Sequence, residues 1–180
     1  MKINLYALRA IYLHEMDRFR RTLTQSVLSP VLTTSLYFIV FGSVIGGYVE
    51  KIDGISYGSY IVPGLLMLTL LTQSISNTSF GIFFPKFNGT IYEILAAPIS
   101  TLEVVLAFVG AGATKTLIVS IIIFITSLFF VDVQVKYPLL MIFLLILVAF
   151  TFALFGFLIG LMSSDFEQMS IIPTLFVTPM

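Results

Sequence analysis

Long apolar runs alternate with short polar segments along the whole chain. Val27 to about Val49, Tyr57 to Phe83, Val104 to Phe130 and Leu139 to Met162 are the four longest runs. Each reaches the ~20 residues that a helix needs to cross a ~30 Å hydrocarbon layer. A fifth run begins at Ile171 and the sequence stops at Met180. From Ser170 to Met180 a helix reaches only ~16 Å at ~1.5 Å per residue. That is about half a bilayer, and it would leave a terminal carboxylate in hydrocarbon. The expectation is therefore four full spans, an incomplete fifth, and a complete protein that continues further.

The first 25 residues have a different period. Leu5, Leu8, Tyr12, Met16, Phe19 and Leu23 recur every three or four positions and form one narrow stripe on a helix. Arg9 and Arg20 flank the stripe, and His14, Asp17, Arg18 and Arg21 lie further round. This predicts an amphipathic helix on the membrane surface, its basic side chains reaching the headgroups. A helix packed on a partner is the alternative. Residues 1–25 form this segment and 26–180 the transmembrane domain.

Composition narrows the class. The 180 residues are 58% hydrophobic and 10% charged, with mean hydropathy +1.08. Soluble domains carry about a quarter charged residues, so an all-α integral membrane protein is the class that fits. Net charge is zero and cysteine and tryptophan are absent. Nothing points to nucleic acid, and disulfides and thiolate metal sites are excluded.

Polar residues inside the spans are the first candidates for function. Thr69, Thr72, Gln73, Ser76 and Asn77 fall on one face of the second span. Such a face looks either at other helices or at a wet pathway. Lys115 lies inside the third span, where a lysine costs ~3 kcal/mol at the bilayer centre. It either snorkels to the interface or pairs within the bundle. Gly42/Gly46 and Gly156/Gly160 are small-xxx-small pairs that permit close helix contact. The string Gly110 to Thr116 superficially resembles a phosphate loop, but Thr114 stands where that motif requires glycine and no strand precedes it. No Walker motif, zinc motif or catalytic triad is visible, and His14 reads as a solvated histidine.

The stretch 84–103 is the one long polar interruption after the N-terminus. It opens at Pro85, turns at Asn88-Gly89, continues as a short amphipathic piece and stops at Pro98. With the N-terminus on the cytoplasmic side, Lys2, Arg9, Arg18, Arg20, Arg21 and Lys86 are all inside, and only Lys51 and Lys136 are outside. The stretch is then cytoplasmic. It either rests on the headgroups or docks on a partner.

Lys86, Gly89-Thr90, Glu93, Leu95 and Pro98-Ile99-Ser100 resemble the loop between the second and third spans of ABC-2 type transporter permeases. The basic N-terminus, the span order and Pro63-Gly64 at the start of the second span extend the resemblance over essentially the whole chain. The resemblance implies a six-span subunit that pairs with a second permease copy or homologue in the cell membrane. It implies two separate ATPase subunits that bind ATP and Mg, with no cofactor in this chain. Lys86, Gly89, Thr90, Ile91, Tyr92, Glu93, Leu95, Pro98 and Ser100 would form the coupling element, with Ile91, Ile94 and Leu95 as its apolar face. The cargo would be amphipathic, drug-like or a lipid-linked polysaccharide. A secondary transporter or channel, or a membrane scaffold, are the alternatives. A secondary transporter would prefer intramembrane carboxylates, and Asp and Glu are absent from the four spans.

Overall fold

A computed structural model describes residues 4–41, 51–52, 55–133 and 135–177. Seven helices follow in order: α1 (Leu5–Arg21), α2 (Leu23–Ile39), α3 (Tyr57–Asn88), α4 (Ile91–Ala96), α5 (Thr101–Ser127), α6 (Pro138–Met162) and α7 (Phe166–Val177). Between α2 and α3, β1 (Lys51–Ile52) and β2 (Ile55–Ser56) form a two-residue antiparallel ladder with Ile52 opposite Ile55. Among the described residues, α3, α5 and α6 are long and apolar enough to cross a membrane. The architecture is a membrane helical bundle. The end of the predicted first span, residues 42–49 with Gly42 and Gly46, lies outside the described residues.

α3 is the central helix, packed most extensively on α6 and next on α5. α6 is apolar around its whole circumference, so polarity does not choose its packing face. Small residues do: Ala149, Ala153, Gly156 and Gly160 are all buried. A Cβ added at Gly156 would lie 2.5 Å from the Ile75 carbonyl oxygen, and one at Gly160 would lie 2.5 Å from that of Ser79. The two backbones therefore touch through the glycines, which is how helices associate where lipid removes the hydrophobic drive. On the α5 side, Gly112 makes room for the Thr78 side chain.

Several boundaries differ from the sequence expectation. α3 does not stop at Pro85. It continues to Asn88 and ends at Gly89, whose φ of 78° is a left-handed helix cap. The last turns are held by the buried Phe83 and by Lys86, so tertiary contacts outweigh the N–H that proline lacks. Pro63 likewise lies inside one continuous helix. α5 begins at Thr101 because Ser100 and Glu103 form a reciprocal capping box. α7 begins at Phe166, ahead of the apolar run at Ile171, because Phe166 packs edge-on to Phe83 and Phe87 at 4.9 Å each.

α1 is not a helix lying by itself on a membrane surface. It runs parallel to α5 and packs along it. Asn4 meets Glu103, the Tyr12 hydroxyl donates to Thr114 Oγ1 at 3.1 Å, and Glu15 meets Lys115. Phe19 then closes on Val119 and Ile123, and in α2 Phe38 stacks on Phe130. α3 is ~48 Å long at ~1.5 Å per residue, against ~30 Å of hydrocarbon. Its last turns carry Phe80 beneath Arg18 of α1 and lead through Gly89 into α4.

Gly156→Ala or Gly160→Ala should destabilise the chain by ~1–3 kcal/mol through overpacking. Gly64→Ala should be near neutral, because nothing lies within 4 Å of its added Cβ. Thermal unfolding in detergent separates the three, and equal melting of all variants would remove the glycine contact as the basis of the α3–α6 packing.

Candidate coupling site and buried ion cluster

The α3–α5 connection is built from caps. The Gly89 N–H donates to the Lys86 carbonyl, and Thr90 Oγ1 donates to that of Pro85. α4 opens with Tyr92 N–H to Gly89 O and Glu93 N–H to Thr90 O, each at 3.2 Å. Ala97 is extended, as a residue before proline prefers. Ile99 and Ser100 then lead into the capping box of α5, where the Ser100 N–H donates to Glu103 Oε2 at 2.8 Å.

The apolar side chains of α4 divide between two faces. Ile91, Ile94 and Ile99 pack on the core cluster that contains Val104, Phe108 and Phe157. Tyr92 and Leu95 point away, 72% and 67% exposed, with Glu93 and Pro98 exposed beside them. Ile91, Ile94 and Leu95 are therefore not one docking face: the isoleucines anchor α4 and Leu95 projects. A six-residue helix gains little from propensity alone, so this anchorage holds it in place.

Two further contacts tie the connection to its neighbours. Lys86 Nζ donates to the carbonyls of Leu161 and Ser163 at 2.7 and 2.8 Å, at the C-terminal end of α6, where a cation meets the negative end of the helix dipole. Glu103 Oε1 accepts the Asn4 N–H, so one carboxylate joins the end of the connection to the start of α1. Lys86 thus has an intramolecular role that its place in the loop pattern did not disclose.

Lys115 pairs within the bundle. Its Nζ lies 2.7 Å from Glu15 Oε2, and Arg18 Nη2 lies 2.8 Å from the same oxygen. Glu15 and Lys115 are each only 2% exposed. Arg18 lies over the Phe80 ring at 5.4 Å, and Gly81 leaves room for the cluster beside α3. Glu15 escaped sequence reasoning although a signal existed. It stands three residues after Tyr12 and four before Phe19, inside the apolar stripe of α1. A carboxylate there requires a cation from a neighbouring helix, and Lys115 is the one cation in a span. The Gly110 to Thr116 string is mid-helix, with no loop to hold a phosphate.

The polar face proposed on the second span lies mostly outside the packed core. Thr72 and Ser76 are exposed, and Thr69, Gln73 and Asn77 are half-buried. Thr69 and Thr72 hydroxyls donate to their own helix, to the Leu65 and Leu68 carbonyls. Asn77 Nδ2 donates to Gln73 Oε1 at 3.2 Å. Packing within the chain uses the next face round, Ser74, Ile75, Thr78 and Ser79, all essentially inaccessible. Ser74 Oγ, Thr78 Oγ1 and Ser120 Oγ have no hydrogen-bond partner among the described residues.

Membrane-spanning helices joined through one short anchored helix make this a multi-helix transmembrane domain. The family model for ABC-2 type transporters matches residues 6–180, and the chain belongs to that family. It is 38% identical over 174 residues to the inner membrane transport permease YadH of Escherichia coli strain K12. That match covers 97% of this chain and 68% of the relative. The YadH proteins of Escherichia coli O157:H7 and Shigella flexneri match with the same identity and coverage. No solved structure matches the chain. The chain is thus a transmembrane transporter subunit.

Lys115→Met should destabilise by ~3–5 kcal/mol by leaving Glu15 beside a single, partly exposed cation. Glu15→Leu combined with Lys115→Met should recover most of that loss. Melting of single and double variants in detergent gives the cycle, and strictly additive losses would dissolve the pair as a unit.

Proposed function

We propose that this chain is the membrane-spanning subunit of an ATP-driven exporter, and that a separate ATPase subunit docks on α4. The observation that carries the reading is the division of α4. Ile91 and Ile94 pack against the core, while Tyr92 and Leu95 are exposed. Exposed aromatic and aliphatic side chains beside a carboxylate suit a protein partner. Lys86, Gly89, Thr90, Pro98 and Ser100 hold the helix in place, and Tyr92, Glu93 and Leu95 make the contact.

The physical route for force is short. A partner that shifts α4 also pulls on α6 through Lys86 and on α1 through Glu103 and Asn4. Nucleotide binding in the partner would bias the bundle between two arrangements by contacting α4 differently in each. ATP and Mg would be held by that partner. A second permease copy or a homologue completes the assembly. The N-terminus faces the cytoplasm, in keeping with the basic residues there, and the chain resides in the inner (plasma) membrane as the YadH name states for those relatives. The cargo is amphipathic, drug-like or a lipid-linked polysaccharide. Thr69, Thr72, Gln73, Ser76 and Asn77 are available to line its route or to meet the second copy.

Leu95→Asp and Glu93→Arg should each abolish co-purification with the ATPase subunit and lower transport by about an order of magnitude, the equivalent of ~1.4 kcal/mol. Membrane insertion, read by protease protection, should be unchanged. Full transport by both variants would refute docking on α4.

A further inference from the structure

A half-open cleft of about 420 Å³ lies where the α1–α2 junction, α3, α5 and the start of α7 meet. Arg18, Thr22, Gln25, Ser26, Asn77 and Lys115 line it. Its charges do not cancel. Glu15 is one carboxylate shared by two cations, Lys115 and Arg18, so the cluster carries one net positive charge. Lys115 is sealed from solvent, whereas the Arg18 side chain is 24% exposed. Arg18 contacts Glu15 through Nη2. Glu15 does not engage its Nη1 and Nε, and each is a charge-assisted donor for a phosphate oxygen.

The depth of the cleft identifies what meets those donors. Ser76, on its α3 wall, lies ~28 Å along the helix from Tyr57, and Phe157 lies ~28 Å from Pro138 on α6, at ~1.5 Å per residue. These positions are level with each other, since Gly156 abuts Ile75. On α3 and α6 the apolar length beyond these positions is close to the ~30 Å hydrocarbon thickness, which places the cleft toward one face of the bilayer, with the last apolar turn of α6 on its other side. The described part of α2 packs on α5 and touches α3 only slightly, which leaves the cleft accessible from the side.

We propose that this cleft binds the phosphodiester of an anionic membrane lipid. Arg18 supplies the direct contact, Gln25 and Asn77 offer amide groups, and Lys115 supplies the uncancelled field. A net positive charge toward one face of the bilayer favours anionic over zwitterionic lipid. The bound lipid would then hold α1 and α2 against α3 at the level where α1 ends. This inference does not depend on the ATPase partner.

The test uses the chain in nanodiscs of phosphatidylcholine with graded phosphatidylglycerol, and native mass spectrometry to count retained lipid. One tightly retained phosphatidylglycerol per chain is expected. Arg18→Gln should weaken its retention by about ten-fold or more, the effect of losing a charge-assisted hydrogen bond. Arg20→Gln, altering an exposed arginine outside the cleft, should change nothing. Ser76→Trp should block the cleft without touching the ion cluster, so lipid loss with an unchanged melting temperature separates binding from folding. Equal retention of phosphatidylcholine, or undiminished phosphatidylglycerol in both Arg18→Gln and Ser76→Trp, would overturn the proposal. Displacement of the lipid by equimolar inorganic phosphate would overturn the lipid assignment in favour of a free phosphate site.

Discussion

The carboxylate of Glu15, held between Lys115 and Arg18, is the interaction on which the arrangement of this chain depends. A buried lysine alone would be too costly to keep charged, and a buried glutamate alone equally so. Each supplies the condition for the other, and they come from helices separated by a hundred residues of sequence. Satisfying them places α1 along α5 in one register. That register brings Tyr12 to Thr114 and Asn4 to Glu103. The start of the chain is thereby attached to the end of the α3–α5 connection.

The same physics acts differently deeper in the bundle. Between apolar helices in lipid there is no water to expel, so shape decides which faces meet. α6 illustrates this, since any of its faces is apolar enough to lie against α3. The face bearing Ala149, Ala153, Gly156 and Gly160 prevails because it permits backbone contact. The larger apolar side chains of α6, such as Phe143, Leu147 and Leu158, are left exposed on the outside.

α4 sits at the meeting point of these two regimes. Its isoleucines share the apolar core with α5 and α6, while its ends are held by polar contacts, Lys86 to the end of α6 and Ser100 with Glu103 at the start of α5. A helix of six residues held on three sides is a stiff element, and stiffness at a projecting position is what a force-transmitting contact requires. The exposed Tyr92 and Leu95 are legible as a contact surface only once the half-buried Ile91 and Ile94 are seen to be occupied by the core.

Much of this was legible along the chain because it depends on short-range rules. Hydropathy set the class and the approximate limits of the spans, since the bilayer imposes a length on any crossing helix. The pattern from Lys86 to Ser100 marked the α3–α5 connection, because turns and caps are written in local residue types. Other features required the folded chain. Pro85 reads as a break and is not one, because contacts from Phe83 and Lys86 carry the helix past it. Leu95 reads as part of one apolar face with Ile91 and projects away from it, because only packing decides which side of a short helix is covered. Lys115 read equally well as snorkelling or paired, because its partner lies on another helix. Periodicity shows that a residue will be buried, while the identity of what it is buried against is a long-range fact that the tertiary structure alone supplies.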